Sequence, residues 1–292
     1  MSQGLNPQYS GKSKKSSKQL SDSELKAMAM AKHEEQFAEQ ATKSTVPTEI
    51  VELPSEGRFY PDGHPLSSGK LEMKYMTAKD EDILTNQTYI KNGVVLDKLF
   101  QSLIVTKFDY NDLLICDKNA IMIAARVLGY GKDYSVTVET PSGEEQSVNV
   151  DLTTIDVEEY DWDTLESNGN SFEFELPVSK RKINFKLLTQ GVQRKIDSEL
   201  RGLKKLKKGD STLTTTMKHT ITAVDGSEDN ATIRKFVDNE LFAVDSRALR
   251  AYIKKVTPNL DLTMEVTDEE TGDPFRCRIA IGLDLFWPDL EL

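Results

Sequence analysis

A chain of 292 residues with a formal net charge of -11 and a pI near 5.0 is long enough to bury one large core or two ordinary ones without disulfides, and two domains are the expectation. The acidity argues against a general nucleic-acid or anionic-membrane surface, since both need a dense cationic face. The two cysteines, Cys116 and Cys277, are too few for a disulfide framework or a four-cysteine zinc site, and both sit beside apolar residues as buried thiols do.

No run of about 18 apolar residues occurs and no apolar signal core follows the N-terminal lysines, so a soluble, non-secreted protein without a membrane partner is expected. Residues 1–45 are rich in Ser, Lys, Gln and Gly, with Lys12, Lys14, Lys15 and Lys18 clustered, and read as a disordered tail with a weak helix across Ser21 to Gln40. From Val46 the composition becomes that of a folded domain. Leu53 to Gly57 and Tyr60 to Pro65 are turn clusters, because Pro presets a turn dihedral and Gly or Asp tolerates positive φ. Arg58 to Tyr60 and Leu71 to Met76 read as strands, the second placing Leu71, Met73 and Tyr75 on one face. Thr77 followed by Asp80 and Glu81 is close to a capping box, so a helix should start at Ala78 with Ile83 and Leu84 inward.

Leu96, Leu99, Phe100, Leu103 and Ile104 recur at helical spacing across Gly93 to Ile104. A further helix is expected from Asp117, as N-cap, to Leu128, with Gly129 as its stop. Tyr134, Val136 and Val138 then alternate, Pro141-Ser142-Gly143 turns, and Val148, Val150 and Leu152 alternate back as a hairpin. Residues 46–152 thus read as a first α+β domain, and 153–170 as an acidic linker pinned by Tyr160 and Trp162. In 171–292, a second α+β domain, Phe172, Phe174 and Leu176 oppose Ile183, Phe185 and Leu187 across Pro177 to Lys180. Thr189 should cap a helix bearing Val192, Ile196, Leu200 and Leu203, whose basic end (Lys204, Lys205, Lys207 and Lys208) suits a helix C-terminus.

Thr212 to Val224 is ambiguous between helix and strand because its threonines lower helix propensity. Thr232 to Phe242 and Asp245 to Val256 read as helices, the latter with Asp245 as N-cap. Two strands, Leu260 to Thr267 and Phe275 to Leu285, close the chain around the acidic turn Asp268 to Asp273. The fold class is therefore α+β: two small domains with antiparallel hairpins packed on helices, preceded by a tail.

The search for chemistry finds no catalytic constellation. His33, His64 and His219 have no spacing that makes a zinc helix or a base beside a nucleophile, and Gly129-Tyr130-Gly131-Lys132 lacks the spacing of a phosphate loop. The acidic turn at Asp268 lacks the ligand pattern of an EF-hand. No catalytic, cofactor or metal residue is expected. Candidate partner contacts are Arg58, Phe59 and Tyr60, together with Phe286 and Trp287 near the C-terminus. A hydrolase acting on cell wall or nucleic acid, and an adaptor that binds nucleic acid through its lysine clusters, are the alternatives.

VELPSEGRFYPDGHPL, GKLEMKYMTAKDEDILTN, GVVLDKLFQSLI, LLICDKNAIMIAARVLGYGKDY and DSRALRAYIKKVTPNLDLTMEV with a closing FWP resemble the baseplate hub protein family of T-even-like contractile-tailed bacteriophages. The resemblance runs from about Pro47 to Pro288 in order. It implies a non-enzymatic protein that builds the tail baseplate hub, as hub component or assembly chaperone, with other baseplate proteins as partners and no small-molecule substrate. The implied location is the bacterial host cytoplasm during assembly, or the virion tail. In relatives the turns matching Thr140 to Gly143 and Asp268 to Gly272 often carry Cys pairs; here they have neither Cys nor His, so no zinc is expected.

Overall fold

The computed structural model describes residues 46–160, 162, 165, 169–206 and 211–286. The expected tail, the Ser21 to Gln40 helix, Lys207, Lys208 and Trp287 lie outside the described residues. The architecture is α+β, with eight α-helices and small antiparallel sheets among the described residues. In order these are β1 (Thr48–Glu52), β2 (Lys70–Lys74), α1 (Ala78–Leu84), α2 (Gln87–Lys91), α3 (Val95–Leu103) and α4 (Ile115–Tyr130). The hairpin β3 (Asp133–Glu139) and β4 (Glu145–Asp151) follows, then β5 (Phe172–Glu175), β6 (Lys182–Phe185), α5 (Gln190–Lys205) and α6 (Thr212–Thr220). The chain continues through β7 (Ile221–Val224), α7 (Asn230–Asn239), α8 (Ala243–Val256), β8 (Thr263–Thr267) and β9 (Pro274–Arg278), and a 3-10 turn at Leu283–Phe286.

Period-2 patterns pair where alternation predicts. Tyr134 faces Val150 and Val136 faces Val148 in the β3–β4 hairpin, and Phe172 faces Phe185 in β5–β6. The ambiguous Thr212 to Val224 segment divides into α6 and β7, and β7 adds a third strand along β6. Its β-branched Ile221 and Val224 are buried there, as suits a strand packed on the core. The expected Phe275 to Leu285 strand stops at Arg278, beyond which Leu285 and Phe286 turn into the core.

Arg58 to Tyr60 do not form a strand. They close a series of turns in which Glu56 and Gly57 both have positive φ, 48° and 78°, a conformation that no strand accommodates. The strand instead precedes them as β1, whose Val51 pairs with Leu71 and whose Glu49 pairs with Met73. Leu71 and Met73 are buried as expected, whereas Tyr75 lies beyond the end of β2, exposed, with its hydroxyl on Glu49.

From Pro47 onward the chain forms one compact unit. Among the described residues, the segments expected as two α+β domains both contribute to a single apolar core that runs from Leu53 and Phe59 through α3 and α4 to Phe172, Phe185 and Leu285. Two aromatics of the expected acidic linker are among the described residues. Trp162 packs 4.3 Å from Tyr160 and 5.7 Å from Phe59, and the Tyr160 hydroxyl donates to the Val256 carbonyl at 2.6 Å. Backbone bonds also cross the halves, with Ile115 N donating to Leu188 O and Gln190 N to Leu113 O.

Candidate functional site

Of the five aspartates buried among the described residues, Asp268 lies in the β8–β9 turn, and the other four, Asp80, Asp97, Asp117 and Asp245, are each the third residue of a helix. The unpaired N–H groups and positive dipole end of a helix favour an anion there. Only Asp80 serves its own helix start: its carboxylate accepts from both the N–H and the hydroxyl of Thr77, and pairs with Lys74 at 2.8 Å. The other three reach distant chain. Asp117 and Asp245, expected as N-caps, lie inside α4 and α8, whose caps are Leu114 and Phe242.

Asp117 holds the turns between β1 and β2. It accepts from Ser55 N at 2.9 Å, Ser55 Oγ at 2.7 Å and the Tyr60 hydroxyl at 2.7 Å, while that hydroxyl accepts from Leu114 N at 3.1 Å. Burial raises the Asp117 pKa above the ordinary carboxylate range despite those donors. Within the same loop Gly57 and Gly69, both at positive φ, bring two backbone segments into contact: a Cβ on Gly57 would lie 2.4 Å from the Ser67 carbonyl oxygen. His64 stacks on Tyr60 with ring centroids 5.0 Å apart, and its Nδ1 accepts from Leu66 N. This ring therefore caps a turn, and its Nε2 lies 3.7 Å from the Asp112 carboxylate.

Asp97 joins the halves of the unit. Its carboxylate takes Lys118 Nζ at 2.6 Å, Gln190 Nε2 at 2.7 Å, the Tyr110 hydroxyl at 3.2 Å and Arg194 at 3.3 Å, bringing α3, α4 and α5 together. Asp245 accepts from Val178 N at 2.8 Å and Ser179 N at 3.0 Å, fixing the β5–β6 turn. On the far side Glu199 takes Arg234 in a two-point pair, both contacts 3.0 Å, and His219 at 2.9 Å.

These carboxylates set an acid response. Burial alone would raise the Asp80 pKa, but Lys74, Ser102 and Thr77 outweigh it and hold it at about 2 against an ordinary 3.8. Arg234, against burial and with help from His219, holds Glu199 at about 2 against 4.5. Both pKa values are depressed by folding, so their stabilisation is complete above about pH 4.5 and is lost as pH falls toward 2. The double variant Asp80→Asn, Glu199→Gln should be less stable at neutral pH yet lose less stability across that window, as measured by urea unfolding at a series of pH values.

Of the candidate contacts, Phe59 (3 %), Tyr60 (7 %) and Phe286 (3 %) are buried. Arg58 is exposed, lying over the Trp162 ring at 4.5 Å and pairing with Glu56 at 3.1 Å. Lys204 and Lys205 occupy the last turn of α5, where a cation suits the helix dipole. The two hairpins whose turns the resemblance singled out stand side by side: Gln146 of β4 donates from Nε2 to Thr267 O at 3.0 Å and accepts at Oε1 from Glu269 N at 3.1 Å.

Among the described residues no group of three or more His, Cys, Asp or Glu side chains is arranged to hold a metal ion, and no helix is long and apolar enough to cross a membrane. Burial pushes the thiols of Cys116 and Cys277 above their ordinary pKa, which disfavours the reactive thiolate.

One apolar groove was not foreseen from the sequence. A groove of about 530 Å³ runs beside β1, floored by Ala120, Ile123, Ala124 and Val127 of α4 and walled by Ile50 and Val157. The floor residues follow helical spacing, but the face expected to be apolar was Ile121, Ala124, Ala125 and Leu128, which shares only Ala124 with the floor.

Neither the curated proteins nor the solved structures contain a match to this chain. The sequence model of the family described as T4 bacteriophage base plate protein matches residues 45–278, which takes in β1, all eight helices and the closing hairpin. With most of its length matched in that way, the chain belongs to the T4 bacteriophage base plate protein family.

Proposed function

We propose that this baseplate protein builds the hub of the tail baseplate without catalysing a reaction, working through protein–protein contacts with other hub or baseplate polypeptides. The match to the baseplate family carries the reading. The use made of the charged groups supports it: the buried aspartates and the Glu199 cluster are engaged by structural donors, which leaves them holding the fold together. Assembly takes place in the host cytoplasm, before the tail is complete.

Two roles satisfy this reading and leave different traces. A hub component persists in the particle, whereas an assembly chaperone departs from it. Quantitative mass spectrometry of purified virions and of infected-cell extract separates them: a fixed copy number per virion identifies a component, and abundance in extract with depletion from virions identifies a chaperone. Co-isolation with no baseplate protein at any time after infection contradicts both.

A further inference from the structure

The pairing pattern of β1 leaves one edge free. Leu53 N donates to Gly69 O and Tyr75 N to Pro47 O, so the odd-numbered residues bond to β2. Thr48, Ile50 and Glu52 therefore turn their N–H and C=O groups to the opposite side, where no strand pairs with β1 among the described residues. Across the groove, Glu158 N donates to Asn259 O and Asp261 N to Asp156 O, which makes Val157 and Leu260 a non-hydrogen-bonded pair. The backbone groups of Val157 consequently point away from Leu260.

Both walls thus present strand edges, and Ile50 and Val157 are 60 % and 43 % exposed. Exposed strand edges are normally blunted by charge, Pro or a covering element. Here the edge borders an apolar floor. Glu49, Glu52 and Asp156 line the groove and no Lys or Arg does; Glu52 pairs with Lys70 at 2.8 Å, which leaves Glu49 and Asp156 as its carboxylates without a basic partner among the described residues.

We propose that this groove docks an extended segment of another baseplate polypeptide, with apolar residues at alternate positions on the α4 floor and Lys or Arg between them facing Glu49 and Asp156. The docked segment adds a strand to β1: main-chain bonds supply affinity, while the floor and the carboxylates supply selectivity. The proposal rests on the assembly role above but can fail independently of it.

The test uses the full chain and a fluorescein-labelled peptide of alternating Val and Lys. Binding should be saturable, should weaken by about tenfold for an alternating Val and Glu peptide, and should slow exchange of the Ile50 and Val157 amides. Ile50→Pro removes an N–H that β2 does not use, so it should weaken binding by about tenfold with little change in Tm. The pair Glu49→Lys, Asp156→Lys checks the charge term without altering the backbone. Equal binding of a backbone N-methylated or scrambled peptide, or unchanged Ile50 and Val157 exchange, overturns the proposal. So does a self-association of the free protein that Ile50→Pro abolishes, because the occupant is then a second copy. If the phage needs the wild-type gene for tails while Ile50→Pro and the charge variant both restore full yield, the groove fails and the assembly role stands.

Discussion

Asp117→Ala lowers the unfolding free energy by about 3 kcal/mol, because it strands the Ser55 N–H, the Ser55 hydroxyl and the Tyr60 hydroxyl in a buried site, at roughly 1–3 kcal/mol each. Relief of a desolvated carboxylate offsets part of that sum, since burial opposes the charge of Asp117 and pushes its pKa up. For a unit of this size the loss corresponds to a fall in Tm of about 6 °C. Asp117→Asn keeps one acceptor oxygen and should cost about half as much. Differential scanning calorimetry of the three proteins reads both effects. Equal Tm values for wild type and Asp117→Ala would show that the turns between β1 and β2 are held by something other than this carboxylate.

Gly57→Ala should be worse, at more than about 4 kcal/mol, which places it among the rare severe substitutions. The residue sits at φ 78°, and its new Cβ would lie 2.4 Å from the Ser67 carbonyl oxygen and 2.6 Å from Gly69 N, both backbone atoms that cannot step aside singly. Gly63→Ala is the control. Gly63 has φ 79° but nothing within 4 Å of the added Cβ, so it carries only the left-handed backbone cost of about 1–2 kcal/mol. The gap between the two variants in urea midpoint measures the close approach alone. Soluble, equally stable Gly57→Ala and Gly63→Ala proteins would contradict the clasp.

Periodicity carried most of the fold. The α3 stripe of Leu99, Phe100 and Leu103 is fully buried, the β3–β4 and β5–β6 hairpins pair in the anticipated sense, and Thr77 with Asp80 starts α1 as its capping pattern requires. Such features were legible because local chain determines them. The misses share a different cause. Asp117 and Asp245 looked like helix caps because an aspartate before an apolar run usually is one, yet each lies in the first turn and bonds to chain about sixty residues away. Nothing near either residue in sequence signals that choice.

The same holds for Arg58 to Tyr60, where three residues of strand character were outweighed by the positive φ at Glu56 and Gly57 and by the buried hydroxyl of Tyr60. Phe59 and Phe286 resembled presented aromatics because nothing local says what covers them; Trp162 and Phe172 cover Phe59, and both belong to residues beyond the expected first domain. The partly open floor on α4 had the opposite problem. Local spacing pointed to Ile121, Ala124, Ala125 and Leu128 as the apolar face, and an unpaired strand edge beside the adjoining face is a property of topology.

Function was legible through family resemblance rather than through chemistry, and the baseplate assignment rests on a match along most of the chain. The most direct test of the assembly role is the particle inventory of a phage lacking this gene. Electron microscopy and gradient sedimentation of the lysate should show filled heads without functional tails and incomplete baseplates, with intact particles restored by the wild-type chain supplied in trans. A normal yield of infectious, fully tailed particles from the deletion would contradict the account.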